Sequence, residues 1–254
     1  MGTIDHVTIR VDDLAAMSAF YERAFDLVKF GRPRHEGDVF LEWGDFSISE
    51  ADAERPPTEG LHIAFTADSD ELVESWWRGM IDAGYRSDGA PGARPQYRPD
   101  YYGAFILDGQ GNSVEAVTHG GARERSTGLI DHLWVRVAEL QPIKRFYSAI
   151  APTVGLKARD LGERFGLVAE AGSFTFVEGP PTRNLHLAIG VGTRRSSTSS
   201  TRPHSRPAVV TMEGRGRGRA TTPATTGPTS SIRPGRIWKR SSTTARLTST
   251  LTTN

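Results

Sequence analysis

The 254-residue sequence predicts an α+β fold of paired β-α-β-β-β units, in which one complete pair is followed by a truncated second copy. Two observations predict this fold. Two sequence motifs recur along the chain, and within each repeat short runs of alternating apolar residues flank a segment with helical periodicity. Apolar residues make up 37% of the chain, which is enough to build a core.

The repeat defines the domain organisation. IDHVTIRV at 4–11 returns as IDHLWVRV at 130–137, and GLHIAF at 60–65 returns as NLHLAI at 184–189. We therefore predict four parts: a complete domain at 4–118, a linker at 119–128, the first half of a second domain at 129–191 and a tail at 192–254.

The first unit begins with IDHVTIRVDD, whose alternation is typical of a half-buried strand. The next segment, LAAMSAFYERAF, has the apolar spacing of a helix. The residues of that stripe are Leu14, Met17, Phe20, Tyr21 and Phe25. Strand-like stretches follow near 38–50 and complete one β-α-β-β-β unit.

The second unit repeats this order. The strand HIAFTA precedes DELVESWWRGMIDAG, a predicted helix for which Gly84 is a suitable C-terminal cap. The strands YYGAFILD and NSVEAVT follow, and the DGQGN segment between them is typical of a hairpin turn.

Alternation along these strands predicts a sheet with two unlike faces. His6 and Arg10 alternate with apolar residues of the first strand, and His62 and Glu115 do so in their own strands. The apolar face suits helix packing. The polar face suits a cup that holds a substrate.

These features resemble a known family. The paired β-α-β-β-β units, a histidine at the start of each leading strand and GNSVEAV in the last strand are similar to the vicinal oxygen chelate superfamily. That superfamily includes glyoxalase I, fosfomycin and bleomycin resistance proteins, extradiol dioxygenases and methylmalonyl-CoA epimerase. The resemblance covers 4–118 completely and implies a glyoxalase-like domain there, with half of a second one at 129–191.

Two histidines and a glutamate on the polar face form the predicted metal site. His6, His62 and Glu115 supply two imidazoles and one carboxylate, which can hold a divalent ion and leave positions open for substrate. The resemblance implies the same set. Because the chain has no cysteine, Fe, Mn, Ni, Co or Zn would bind His, Asp or Glu. His132 and His186 repeat the two histidines in the second copy.

The sequence does not assign a definite role to several other residues. Glyoxalase I proteins add a second carboxylate from the last strand of the first unit, where this chain has Ser47 or Ser49, with Glu50 beyond them. No general base or other catalytic residue is assigned. Tyr101 either lines the cup or packs in a hairpin, with packing favoured, and His119 is assigned no role.

The resemblance therefore implies a metal-dependent enzyme that binds a small oxygenated substrate through two neighbouring oxygen atoms. The reaction would be that of a glyoxalase-like lyase or isomerase, or of an extradiol dioxygenase. The alternative is a metal-free protein of the bleomycin-resistance type that sequesters a small molecule. The fold also allows a homodimer.

Composition sets the expected location. No stretch reaches the length of a membrane span, and MGTIDHVTIRV lacks the basic and apolar regions of a signal peptide. We therefore expect a cytoplasmic protein that binds neither a membrane nor nucleic acid.

The basic charge of the chain lies in the tail at 192–254. The tail holds 12 of the 31 Lys and Arg residues but one of the 30 acids, so its formal charge is +11. Residues 1–191 carry the balance of −10. A nucleic-acid function would depend on the tail alone.

The codons of the tail indicate a shifted reading frame. Trp238 is encoded only by TGG and Lys239 begins with AA, so the pair conceals GAA, a glutamate codon, 124 positions after Glu115. The same 124 positions separate His62 from His186. We predict that the tail is the closing unit of the second domain read out of frame, and that it is disordered. The alternative is a genuine basic, Thr-rich arm.

Overall fold

The computed structural model describes residues 3–31, 33–35, 39–120, 128–170 and 172–190. The tail at 192–254 and most of the predicted linker lie outside the described residues, and so does the frameshift prediction.

The first unit has the predicted order of elements: β1 (Thr3–Val11), α1 (Leu14–Leu27), β2 (Arg34–His35), β3 (Phe40–Trp43) and β4 (Phe46–Glu50). Helix α1 begins after Asp13, whose side chain accepts a hydrogen bond from the amide of Ala16. The buried residues of α1 include four of the predicted stripe, Met17, Phe20, Tyr21 and Phe25.

The second unit comprises β5 (His62–Thr66), α2 (Asp70–Asp82), β6 (Arg86–Ala93), β7 (Tyr102–Leu107) and β8 (Ser113–Thr118). Gly84 follows α2 with a φ of +88°, a left-handed conformation that favours glycine at a helix end. Strand β6 was not predicted. Its sequence, RSDGAPGA, is exposed and lacks alternation because it lies at the edge of a sheet.

The second copy repeats the unit as far as the described residues extend. Its elements are β9 (Ile130–Val137), α3 (Leu140–Val154), β10 (Lys157–Asp160), β11 (Arg164–Val168), β12 (Ser173–Glu178) and β13 (His186–Gly190). The predicted α+β class and the β-α-β-β-β order are therefore confirmed.

The strands form two sheets, and each sheet combines strands of both copies. The five-stranded sheet has the order β13-β1-β4-β3-β2, and the eight-stranded sheet has the order β10-β11-β12-β9-β5-β8-β7-β6. Strand β1 pairs antiparallel with β13, and β5 pairs antiparallel with β9. The second unit of the first copy and the first unit of the second copy thus share one continuous sheet.

Helices cover one face of the eight-stranded sheet. Helix α2 packs on β6, β7 and β8, and α3 packs on β10, β11 and β12. The rings of Phe25 and Phe46 lie 4.8 Å and 5.1 Å from that of Phe65, so the first unit packs against β5. Each buried phenylalanine contributes about 1.5–3 kcal/mol to stability. None of the helices in the described residues has the length and hydrophobicity of a transmembrane segment.

Candidate metal centre

The polar face of the eight-stranded sheet carries a cavity of about 640 Å³, which we call the cup. A cavity of this volume accommodates a small organic molecule. Its lining comes from both copies of the repeat and includes His62, Glu115 and His132. The cup predicted from strand alternation therefore exists, but it is shared between the copies.

Three side chains meet in the cup. The Nε2 atom of His62 lies 3.1 Å from Oε2 of Glu115 and 3.3 Å from Nε2 of His132. His132 Nε2 lies 3.4 Å from the same carboxylate oxygen. No other group of three or more His, Asp or Glu side chains suited to an ion occurs in the part of the chain that the structure describes. We call these three residues the triad.

Strand register explains why the triad converges. Ala64 on β5 lies opposite Glu115 of β8 on one side and opposite His132 of β9 on the other. His62 is two residues before Ala64 and therefore projects from the same face. Because the Ala64 side chain is a single methyl group, it leaves room for the three longer side chains to meet above it.

The second nitrogen of each imidazole in the triad has its own partner. His62 Nδ1 lies 3.1 Å from the hydroxyl oxygen of Ser113, and that hydroxyl donates to Asp88 at 2.7 Å. His132 Nδ1 lies 2.9 Å from a carboxylate oxygen of Asp131. These contacts place the proton of each neutral ring on Nδ1 and leave both Nε2 atoms for the centre of the cup.

Asp131 connects the triad to His119. The Nε2 atom of His119 lies 3.2 Å from both oxygens of Asp131. Burial alone would raise the pKa of Asp131, but hydrogen bonds with His119 and His132 lower it. The sequence by itself indicated no role for His119, yet its imidazole contacts Asp131, which in turn contacts the candidate ligand His132. The acid before the histidine in both IDH repeats was the available signal.

Tyr101 and Gly103 orient the carboxylate of Glu115. The Tyr101 hydroxyl donates to Oε1 of Glu115 at 2.6 Å, so Oε2 faces the two histidines. Gly103 has no side chain, and a Cβ there would collide with Oε1. Tyr101 therefore lines the cup, contrary to the favoured expectation of simple hairpin packing.

The protonation states of the triad depend on one another. Burial alone would lower the pKa of His132, but hydrogen bonds with Asp131 and Glu115 raise it to about 9. Burial lowers the pKa of His62. Burial alone would raise the pKa of Glu115, but its hydrogen bonds to the two histidines lower it. Without an ion, the stable charged pair is therefore Glu115 carboxylate with protonated His132.

The structure does not place His6 with His62 and Glu115. His6 Nε2 lies 3.1 Å from Nε2 of His186, because β1 pairs with β13 in the five-stranded sheet. Strands β5 and β8 belong to the other sheet. The predicted set His6, His62 and Glu115 is therefore divided, and His132 occupies the position beside His62 that was predicted for His6.

The pair of His6 and His186 resembles the pair of His62 and His132 in the triad, because in both cases two imidazoles lie close together on paired strands. The described residues add no carboxylate that completes a group of three at this pair. The glutamate codon concealed at position 239 follows Glu115 by the repeat offset, and this position lies outside the described residues.

The triad fits a divalent transition-metal ion. Metal-ligand bonds of about 2.0–2.2 Å place neighbouring ligand atoms roughly 3.0–3.5 Å apart. The three ligand atoms of the triad lie 3.1, 3.3 and 3.4 Å apart. Two imidazoles and one carboxylate suit Fe, Mn, Co, Ni or Zn. Strand β12 contributes Ser173 and Thr175 to the cup and no second carboxylate.

Known proteins match the sequence and the fold. A family model described as Glyoxalase/Bleomycin resistance protein/Dioxygenase superfamily matches residues 3–116. A glyoxalase I mutant from Zea mays is 18% identical, with 75% of this chain and 74% of that chain covered and a TM-score of 0.51. A second mutant of the Zea mays protein is 19% identical, with 74% and 75% covered and the same TM-score of 0.51.

A third structure is that of a glyoxalase/bleomycin resistance protein from Albidiferax ferrireducens. It is 24% identical, with 44% of this chain and 96% of that chain covered and a TM-score of 0.40. No curated protein matches the sequence. At these identities the Zea mays structures indicate a shared fold and do not indicate the reaction.

Proposed function

We propose that the chain is a metal-dependent enzyme acting on a small oxygenated substrate, from the premise that residues 3–116 match the glyoxalase/bleomycin resistance protein/dioxygenase superfamily. In this proposal His62, Glu115 and His132 hold the ion. The observation that carries it is the convergence of three ligand atoms within 3.4 Å of one another, each on a side chain with an outer partner.

A divalent ion at the triad would act as a Lewis acid toward two neighbouring oxygen atoms of the substrate. The side chains of the protein prepare that site. Ser113 and Asp131 hold the imidazoles with Nε2 inward, and Tyr101 holds one oxygen of Glu115. These outer contacts fix the orientation of the three ligand side chains toward the centre of the cup.

The ligand set favours dioxygenase-type chemistry within this proposal. Two histidines and one carboxylate with open positions are typical of non-haem Fe(II) oxygenases. A second carboxylate of the glyoxalase I kind would have to come from β12, where Ser173 and Thr175 face the cup. We therefore rank a dioxygenase-type reaction with Fe(II) above a glyoxalase-like lyase or isomerase. No residue is assigned as general base.

The test compares two histidines that the sequence alone treated as equivalent. The full chain would be reconstituted without oxygen with Fe(II), Mn, Co, Ni or Zn, and its bound metal measured after desalting. We expect about one ion per chain in the unmodified protein and in His6→Ala, and loss of that ion in His132→Ala and Glu115→Ala. Retention of the ion by His132→Ala together with its loss from His6→Ala would exclude the proposed triad.

A metal-free binding protein is the second candidate. One observation favours it, which is that Nε2 of His132 lies 3.4 Å from Oε2 of Glu115, a distance at which the two side chains can pair with each other. This candidate expects no metal from any of the reconstitutions. It also expects a ligand affinity that Glu115→Ala leaves nearly unchanged.

Three expectations from the sequence stay predictions. They are the cytoplasmic location, a homodimer, and the lack of a nucleic-acid partner. The third concerns the tail at 192–254, which lies outside the described residues.

A further inference from the structure

Large apolar side chains are exposed at the cup. Tyr97 is 47% exposed and Leu161 is 54% exposed, and both line the cavity. Tyr97 precedes β7 in the first copy, and Leu161 follows β10 in the second. Trp134 and Phe105 add two aromatic rings to the same lining. Exposed apolar side chains gathered at one cavity mark a place where an apolar ligand binds.

Two arginines lie over these aromatic rings. The Cζ atom of Arg164 lies 5.5 Å from the centre of the Trp134 ring, and that of Arg94 lies 5.7 Å from the centre of the Phe105 ring. The salt bridges of the described residues involve neither guanidinium. The guanidinium of Arg94 donates hydrogen bonds to the backbone oxygens of Ala90 at 2.8 Å and Ala93 at 3.2 Å, so Arg164 is the more available of the two. Arg98, the third arginine of the lining, differs because it pairs with Asp100 at 3.1 Å.

None of the lining carboxylates in the described residues forms a salt bridge with Arg164 or Arg94. Asp88, Glu115 and Asp131 each contact a serine, tyrosine or histidine side chain within the cup. A divalent ion at the triad would add two positive charges to this lining. The cup would then carry an excess of positive charge, which attracts an anion.

We propose that the substrate is an aromatic organic anion. Its ring packs against Trp134, Tyr97 and Leu161, and its carboxylate binds the guanidinium of Arg164 or Arg94. The assignment rests on the proposed function for the use of the cup as a substrate site, and it adds the chemical class of the substrate. A guanidinium stacked on a ring is held in one plane and presents paired N–H donors to a carboxylate.

The test uses ligands that separate ring from charge. The metal-free full chain would be titrated with phenylacetate, which has both features, with phenylacetamide, which has the ring alone, and with acetate, which has the charge alone. Isothermal titration calorimetry and quenching of tryptophan fluorescence would report binding. We expect saturable binding of phenylacetate. We expect phenylacetamide and acetate to bind at least roughly tenfold more weakly than phenylacetate, since each lacks one contact.

Arginine variants locate the carboxylate. We expect Arg164→Gln or Arg94→Gln to weaken phenylacetate binding roughly tenfold or more, with no change in phenylacetamide binding. Arg78→Gln is the matched control, because Arg78 is exposed on α2 and does not line the cup. Circular dichroism would verify that each variant is folded. Equal affinities for phenylacetate and phenylacetamide, or unchanged binding in both variants, would overturn the inference.

A metal titration of the same preparation separates this inference from the proposed function. Metal bound at the triad without a preference for phenylacetate would overturn the aromatic anion and leave the metalloenzyme standing. A preference for phenylacetate that depends on the arginines, in a protein that binds none of the metals, would support the ligand class and remove the metal-dependent function.

Discussion

Removing the hydroxyl of Tyr101 tests whether the orientation of Glu115 is needed for metal binding. This hydroxyl donates to Oε1 of the carboxylate at 2.6 Å, and both side chains are buried. Tyr101→Phe keeps the ring and its packing. One oxygen of a buried carboxylate then loses its donor, so the carboxylate is free to rotate away from the two histidines.

The expected magnitude follows from that single contact. A hydrogen bond to a charged group contributes about 1.5–3 kcal/mol. Because about 1.4 kcal/mol corresponds to a tenfold change in an equilibrium constant, we expect the dissociation constant for metal to rise roughly 10- to 100-fold. We also expect a higher pKa for Glu115, since the carboxylate loses a donor that stabilises its charge.

The assay is a Co(II) titration followed by visible absorption, which reports both affinity and ligand geometry. Tyr102→Phe is the matched control. The Tyr102 hydroxyl donates to Glu74 of α2 at 2.9 Å. Tyr102 does not line the cup. Equal Co(II) affinity in Tyr101→Phe and the unmodified protein would refute the reasoning, and so would an equal loss in both variants.

Three further predictions concern the cup and the sheet edge. Gly103→Ala should abolish metal binding because the added methyl group collides with the Glu115 carboxylate, whereas Gly166→Ala, which meets only ordinary contacts, should retain it in metal analysis. In the metal-free protein, the stability that protonated His132 contributes is fully present below the unfolded histidine pKa of about 6.5. It is lost as pH rises through about 9, so Tm should fall over this interval, and His132→Gln should remove that fall. Strand β13 ends its sheet in the described residues, so the full chain should self-associate through this edge; a monodisperse monomer in light scattering would contradict this.

Local patterns in the sequence were sufficient for most elements. The apolar stripe of α1, the glycine after α2 and the turn between β7 and β8 follow from side-chain periodicity and backbone conformation, which act within a few residues. Strand β6 could not be predicted in this way. It is an exposed edge strand containing Gly89 and Pro91, so it has no buried face to impose alternation.

The candidate site, like the fold, was only partly predictable from the sequence. The sequence alone placed His62 and Glu115 on the polar face of one unit, because alternation reports the face on which a side chain lies. It could not identify His132 as their partner, because alternation does not report which strand pairs at the edge of a unit. That choice was made by the tertiary structure, in which β5 pairs with β9 and β1 pairs with β13. The repeated histidines were therefore visible in the sequence, and their pairing across the two copies was decided by the packing of the sheets.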